Sequence, residues 1–455
     1  MKNRRILSAF LAVFLLFLLF TGCAKNPEPV EAPEPVIEGP GLDDLVETDS
    51  LVIYIMKANE AWERQLIDRF QMATGVEVEI VSVEGDAFSY AERVMNDLAA
   101  GSGPDVLFVE KLSGFDVSKV ALTRSFLDLT DILAEDPEFS ENDYLDGVLE
   151  AGQFGGRQYT MPVAYDLLLA VSPTEVLKEL GFDWSGIDTM SDFLEEIARL
   201  MPAAEQNPSF QRMLSSKNSL NKLLQASGIC LIDYEAGEVL PDEEALREFL
   251  EAYKAYFPYD YDEFGGGLSV NIGDRVLTSG QCAFWPPTDI KGLVQTMDIL
   301  QLKFCEYLYH VIPGQTNAAV GCITSQLAIP ANAKNTANAY QFIKFMISEE
   351  TQSDYYMIGN HPIHKSALQK AVQEAPSVYE ANGQFLLDYE IPALTDEEAQ
   401  SLLEVLTGID QFSQRAPYDL WMILQESMLP FFRDEASYED CLADLKNKLT
   451  LYLSE

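Results

Sequence analysis

LVIYIMKANEAWERQLIDRFQMATGVEVEI, residues 51–80, is the stretch whose reading decides the fold. Leu51 to Met56 is an unbroken apolar run rich in β-formers. A strand buried on both faces of a parallel sheet has this pattern. Trp62, Leu66, Ile67 and Phe70 then recur at helical spacing, and Gly75 follows as a helix C-cap. Val76 to Ile80 alternates as a second strand. Helical spacing returns at Tyr90, Val94, Met95 and Leu98, and Gly101 with Gly103-Pro104 ends it. Asp105 to Val109 is a third strand. A β-α-β-α-β order within about sixty residues predicts a doubly wound α/β lobe. Ligands of such lobes bind beyond the carboxyl ends of the strands. Those ends fall at Lys57–Glu60, Glu84–Phe88 and Glu110–Phe115.

Downstream, Gly156 to Pro162 reads as a turn and strand entry, and Leu167 to Val171 as an apolar strand. Residues 192–201 and 243–257 are helical. Gly280 to Phe284 is a strand, and it stops at Trp285-Pro286-Pro287. After the short strand Gln326–Pro330, a helix carries Ala339, Phe342, Ile343, Met346 and Ile347 on one stripe. The last helix opens with the capping residues Ser437 to Asp440, and its stripe is Leu442, Leu445, Leu449, Tyr452 and Leu453.

Length and charge narrow the function. A chain of 455 residues exceeds one hydrophobic core and predicts two lobes. With 47% hydrophobic and 23% charged residues it is globular. Thirty Lys and Arg against 73 Asp and Glu leave a net charge of -43, which repels phosphate backbones. Nucleic acid is therefore excluded as a partner. Before the folded body, Lys2, Arg4 and Arg5 precede the apolar run Ile6 to Phe20, a signal-peptide pattern too short for a bilayer span. Pro27, Pro29, Pro33, Pro35 and Pro40 among acidic residues then mark an extended spacer.

Phe20-Thr21-Gly22-Cys23 resembles the lipobox of bacterial lipoproteins, which implies cleavage before Cys23 and acylation of its thiol. Residues 51–108, Gly156 to Pro173, Gly280 to Phe284, Leu327 to Glu350 and Tyr438 to Leu453 occur in the order of a known family. They resemble the extracellular solute-binding proteins of ABC importers, in particular the sugar-binding, maltose-binding-protein-like group. The resemblance implies two doubly wound α/β lobes joined by a hinge, a periplasmic-binding-protein-like fold of type II. It divides the chain into a signal peptide (1–22), a lipidated cysteine and linker (23–46), an N-terminal lobe (47–164 plus 304–347) and a C-terminal lobe (165–303 plus 348–455). The hinge crossings should fall near Ala164-Tyr165, Lys303-Phe304 and Ile347-Ser348.

The same resemblance puts Asp166, with Tyr165 beside it, at an acidic ligand contact, and Trp421, with Tyr418 before it, at a stacking position. A sugar cleft needs aromatic platforms together with carboxylates and amides. Strand ends add Glu60, Trp62, Asp86, Glu110 and Trp285 as ligand-binding candidates. Trp62 also lies on its helix stripe, and Asp86 and Glu110 also fit solvated loop carboxylates.

No catalytic motif occurs. His361-Pro362-Ile363-His364 lacks a third metal ligand nearby and reads as a structural loop. Cys230, Cys282, Cys305, Cys322 and Cys441 are scattered; most read as small core residues, and the spacing leaves room for one disulfide without assigning it. The expected protein has no cofactor and no metal, and it is not an enzyme. It is a monomer, lipid-anchored on the extracytoplasmic face of the cell membrane, that hands a sugar or oligosaccharide to an ABC permease. The alternatives are the same fold binding a polyamine or other small solute, or a surface carbohydrate-active or adhesion lipoprotein.

Overall fold

The structure is a computed structural model that describes residues 39–112, 114–206, 212–214, 220–260, 282–284, 306–354, 360–374 and 394–454. The chain starts with β1 (Leu51–Met56), α1 (Glu60–Thr74), β2 (Val78–Val83), α2 (Ala87–Ala99) and β3 (Leu107–Phe108). It continues through α3 (Val117–Leu122), α4 (Thr130–Glu135), β4 (Gln153–Phe154), β5 (Arg157–Gln158), β6 (Met161–Leu167) and β7 (Leu169–Pro173). Then come α5 (Thr174–Leu180), α6 (Met190–Ala204), β8 (Arg212–Leu214), α7 (Leu220–Ser227), β9 (Ile232–Asp233), β10 (Glu238–Val239) and α8 (Glu243–Asp260). Next are β11 (Cys282–Phe284), β12 (Tyr307–Val311), β13 (Val320–Ala328), α9 (Thr336–Ile347) and α10 (Glu349–Gln352). The described chain ends with β14 (His361–Pro362), α11 (Lys365–Gln373), α12 (Asp396–Thr407), β15 (Gln411–Ser413), α13 (Tyr418–Phe432) and α14 (Tyr438–Ser454).

β1 and β2 run parallel, with Leu51 opposite Val78 and Met56 opposite Val83. Val106 bridges Ile53 in parallel, just ahead of β3. β3 pairs antiparallel with β13, and β13 pairs antiparallel with β6. β14 lies on the far side of β6, and β15 runs parallel to the start of β13.

β1 is buried on both faces, as its apolar run predicts. Leu51, Ile53 and Ile55 enter one core with Leu66, Ile67 and Phe70 of α1. Tyr54 points to the opposite face and packs with Tyr90, Ala91 and Val94 of α2. A side chain that alternates across a strand thus meets a helix on either side, the arrangement of a doubly wound sheet. Tyr90 donates its hydroxyl to the Tyr54 carbonyl at 2.9 Å and ties α2 to β1. Met95, read as part of the α2 stripe, is exposed. Gly75 caps α1 at φ 78°, its N–H donating to the Gln71 carbonyl, as a left-handed cap requires. The α9 stripe Ala339, Phe342, Ile343, Met346 and Ile347 is wholly buried in the first core.

A second core is mainly helical. Phe193 and Ile197 of α6, Phe249 and Leu250 of α8, Leu424 and Met428 of α13, and Leu442, Leu445 and Leu449 of α14 meet in it. The β7–β12 ribbon stands between the cores. Leu169 and Val171 face the first and Ala170 the second; across the ribbon Tyr307, Tyr309 and Val311 face the first and Leu308 the second. The period-2 alternation of a strand gives each core one face of the same ribbon.

The chain changes core after Leu167, close to the expected first crossing, whereas Lys303-Phe304 lies outside the described residues. The third change differs from the expectation at Ile347-Ser348. Ile363, Leu368, Val372, Leu402 and Leu406 are buried in the first core, and the side chains join the second only after Ser413. The physical cause is β-pairing: His361 pairs with Tyr165 and Gln411 with Val320, and these ladders hold the intervening helices against the first core.

Candidate functional site

The carboxyl ends of β1, β2 and β3 lead into the turns that carry the expected residues, and the turn after β2 reaches the second core through Phe88. On the first side, the turn after β1 leads into α1 at Glu60 and Trp62. Glu60 is bound by Lys57 and, at 2.8 Å, by Arg64. Its hydrogen bonds to these cations hold the carboxyl below the usual carboxylate range. Trp62 is 39% exposed. Lys111, in the turn after β3, places its ammonium 3.6 Å from the centre of the Phe108 ring and 5.6 Å from that of Trp62. The same ammonium pairs with the buried Glu63 at 3.0 Å, and Glu63 also accepts from the Met56 N–H at 3.0 Å. A buried pair of this kind contributes little net stability and mainly fixes geometry. It locks the β1 and β3 turns together beneath Trp62.

Asp86 is the N-cap of α2. It accepts from the Ser89 N–H at 2.9 Å and the Ser89 hydroxyl at 2.8 Å, bonds that lower its pKa. Its two-residue neighbour Phe88 is 53% exposed and meets Tyr418 edge-on, with centroids 6.1 Å apart and planes at 79°. Tyr418 is the first residue of α13, in the second core's territory, and is 52% exposed. An edge-to-face aromatic pair therefore spans the seam.

Beneath lies a polar floor. Glu110 accepts from the Ser325 hydroxyl at 3.2 Å and the Gln326 N–H at 3.3 Å. Burial pushes its carboxyl above the usual range. Thr160 donates to the Gln326 side-chain oxygen at 2.8 Å, and the Gln326 amide donates to the Gln414 side-chain oxygen, also at 2.8 Å. Gln414 in turn donates to the Ala151 carbonyl. The network joins the turn after β3, the entry to β6, β13 and the segment after β15 where the chain leaves the first core. Asp166 is half-buried on β6, in register with Cys322 of β13. Burial first, and the Asp166 charge after it, push the Cys322 thiol up to about 12.

Of the expected residues, Tyr418 meets Phe88 across the seam, Glu110 is tied to β13, Glu60 and Asp86 are engaged locally, and Trp62 lies beside Lys111. The structure places two expected contacts in cores instead. Tyr165 is fully buried, donates its hydroxyl to the Leu406 carbonyl at 2.8 Å and packs edge-on against Phe412. Trp421 is 7% exposed, packs in the second core and donates its indole N–H to the Ala416 carbonyl at 3.1 Å. On α13, Tyr418 and Trp421 are three residues apart, and only one of the two reaches the seam. Phe88, Gln326 and Gln414 went unread in the sequence. Phe88 stands off the Tyr90–Val94 stripe two residues after a capping aspartate, and that was its one local signal.

Trp285 and Cys23 lie outside the described residues. His361 and His364 are buried, one on β14 and one capping α11. Among the described residues no group of three or more His, Cys, Asp and Glu could hold a metal ion. Cys322 and Cys441 are buried as expected, while Cys230 is exposed.

Two cores, a shared ribbon and a polar, aromatic seam at strand ends define a two-lobed hinged α/β binding protein of the type II periplasmic-binding class. The family model of bacterial extracellular solute-binding proteins matches residues 65–381, and the chain belongs to that family, the capture components of ABC importers. Solved structures share the fold. One is a putative oligosaccharide periplasmic-binding protein from Synechococcus sp. MITs9220, at 14% identity and TM-score 0.64, covering 89% of this chain and 99% of that one. Another is the sugar-binding protein MalE from Xanthomonas citri, at 16% identity and TM-score 0.63, covering 89% and 97%. A third is the GacH receptor of Streptomyces glaucescens, studied unliganded and with acarbose, at 17% identity and TM-score 0.56, covering 89% and 99%. No curated protein matches the chain.

Proposed function

We propose that the solute is a sugar or oligosaccharide, bound between the lobes and delivered to a permease without chemical change. The observation that carries this reading is the make-up of the seam. Trp62, Phe88 and Tyr418 expose their rings, and Glu110, Ser325, Gln326 and Gln414 supply a polar network after the strand ends. Flat apolar rings suit the faces of a pyranose, and carboxylate and amide groups suit its hydroxyls. The Lys111 ammonium beside Trp62 weighs against a cationic solute at that ring, because a second cation there meets like charge. Three of the structural relatives are described with carbohydrate or oligosaccharide ligands or names, which agrees with the reading. In this proposal Asp166 is a further contact at the hinge and, among the described residues, the first lobe extends to Ser413 apart from those between 168 and 316, which with 414–454 form the second.

The protein works as a monomer outside the cytoplasm, tethered by acylation of Cys23 in the lipobox-like Phe20-Thr21-Gly22-Cys23. The test is a thermal-shift screen of the purified protein against neutral mono- and oligosaccharides and against polyamines. A ligand that binds the folded state raises the midpoint by mass action. Stabilisation by a saccharide is the expected result. Stabilisation by a polyamine alone replaces the ligand class.

A further inference from the structure

Asp116 sits at the N-cap of α3, six residues past Glu110. It is 7% exposed, and four donors converge on it. Two are local: the Ser118 N–H at 3.1 Å and the Lys119 N–H at 3.3 Å. The other two come from the second lobe. Tyr234, in the turn between β9 and β10, donates its hydroxyl to Asp116 Oδ2. Tyr452, in the last turn of α14, donates to the same oxygen at 2.9 Å. Lys119 completes the group. Its ammonium donates to the Tyr452 carbonyl and lies 3.9 Å from the centre of the Tyr452 ring. Beside it, Glu235 of the second lobe accepts from the Gly155 N–H of the first at 2.6 Å.

The sides of this cluster belong to different cores. Val117 and Ala121 of α3 pack with the first lobe's sheet, whereas Tyr234 and Tyr452 pack against the second core. Opening the seam would leave the two backbone donors on Asp116, because they ride on the same helix. It would strip away both phenols and the Lys119 contact. The contacts that depend on closure are thus separable from those that fold the lobe. Hydrogen bonds to a charged acceptor are the strong ones, and a buried carboxylate bound by two phenols favours the state that makes them.

We propose that Asp116, Tyr234, Tyr452 and Lys119 form an interlobe latch that holds the closed state in the absence of solute and so sets how readily the cleft opens to receive one. The proposal rests on the two-lobed reading but on no particular solute. The latch residues are positioning residues: they touch each other and bias the lobes. A ligand shifts an equilibrium only by its preference for one state, so the latch strength scales the apparent affinity for every solute alike.

The test is single-molecule fluorescence transfer on the ligand-free protein, with dyes on p-acetylphenylalanine introduced at the exposed Glu92 of α2 and Glu244 of α8. Tyr234→Phe and Tyr452→Phe remove one hydroxyl each and keep the packed rings and the α3 cap. The expected result is a dominant closed population in the wild type. The closed-to-open ratio should fall by roughly tenfold in each variant and further in the double variant, at a nearly unchanged melting temperature. A wild type found only open, or variants with the wild-type ratio, overturns the latch. Because no solute is added, failure of the sugar reading leaves this outcome untouched. Melting curves of both variants separate a lost latch from a lost fold.

Discussion

The two lobes meet the seam with different architecture. The first presents strand ends: β1 is bridged to the β3 segment at Ile53 and Val106, β3 pairs with β13, and Trp62 and Glu110 follow β1 and β3 closely. The second presents helix ends, with Tyr418 opening α13 and Tyr452 closing α14, and its sheets among the described residues are two-stranded. A strand end is fixed by ladders on both sides, so the residues it carries are held by many backbone bonds. A helix end is carried by packing of one face and moves as a body with its lobe. The comparison teaches that the first lobe supplies a fixed floor and the second supplies phenolic groups that travel with closure.

The sharpest way to break this comparison is on α13 itself. Trp421→Ala removes a core ring and should destabilise the second lobe by about 3–5 kcal/mol, read as a large drop in denaturant midpoint. An unchanged midpoint would return Trp421 to the seam. The first lobe offers a pH probe of comparable size. Burial lowers the His361 pKa from 6.5 to about 4. The native imidazole is therefore neutral, and the unfolded chain takes a proton that the fold refuses. Stability from this residue is full above about pH 6.5 and falls as the pH drops towards about 4, by roughly 3 kcal/mol in total. Carboxylates titrate in the same range, so the measurement is the difference in pH slope between wild type and His361→Gln. Parallel slopes would show that the imidazole is solvated.

Tyr418→Ala tests the travelling side. It should weaken saccharide binding by roughly fivefold to tenfold through loss of ring contact, with little change in melting temperature. Calorimetry showing full affinity would remove Tyr418 from the site. The smallest effect is expected far from the seam. Gly75→Ala forces a Cβ into a φ of 78° at the end of α1 and should cost about 1 kcal/mol, with saccharide affinity unchanged.

Much of the first lobe was legible because its signals are local. The apolar run of β1, the stripe of α1 and the Gly75 cap each need only neighbours within a few turns. The site was less legible. Glu60, Trp62, Asp86 and Glu110 could be found as strand-end residues, yet two of them spend their carboxylates on Lys57, Arg64 and Ser89 close by in the chain. Tyr165 and Trp421 were expected at the ligand and are packed away, because an aromatic residue in an apolar stretch carries no mark of which face it will turn.

From the sequence by itself come the α/β class, the two-lobe expectation and the strand ends of the first lobe. All of these follow from periodicity, length and charge. Only the tertiary structure decided that Ile363, Leu368, Val372, Leu402 and Leu406 stay with the first core, that Phe88 faces Tyr418, and that Asp116 receives two phenols. Tyr452 and Asp116 lie 336 positions apart, and Tyr234 and Asp116 lie 118 apart. No local preference encodes such a meeting. It arises when burial of two separate apolar cores brings their polar margins together.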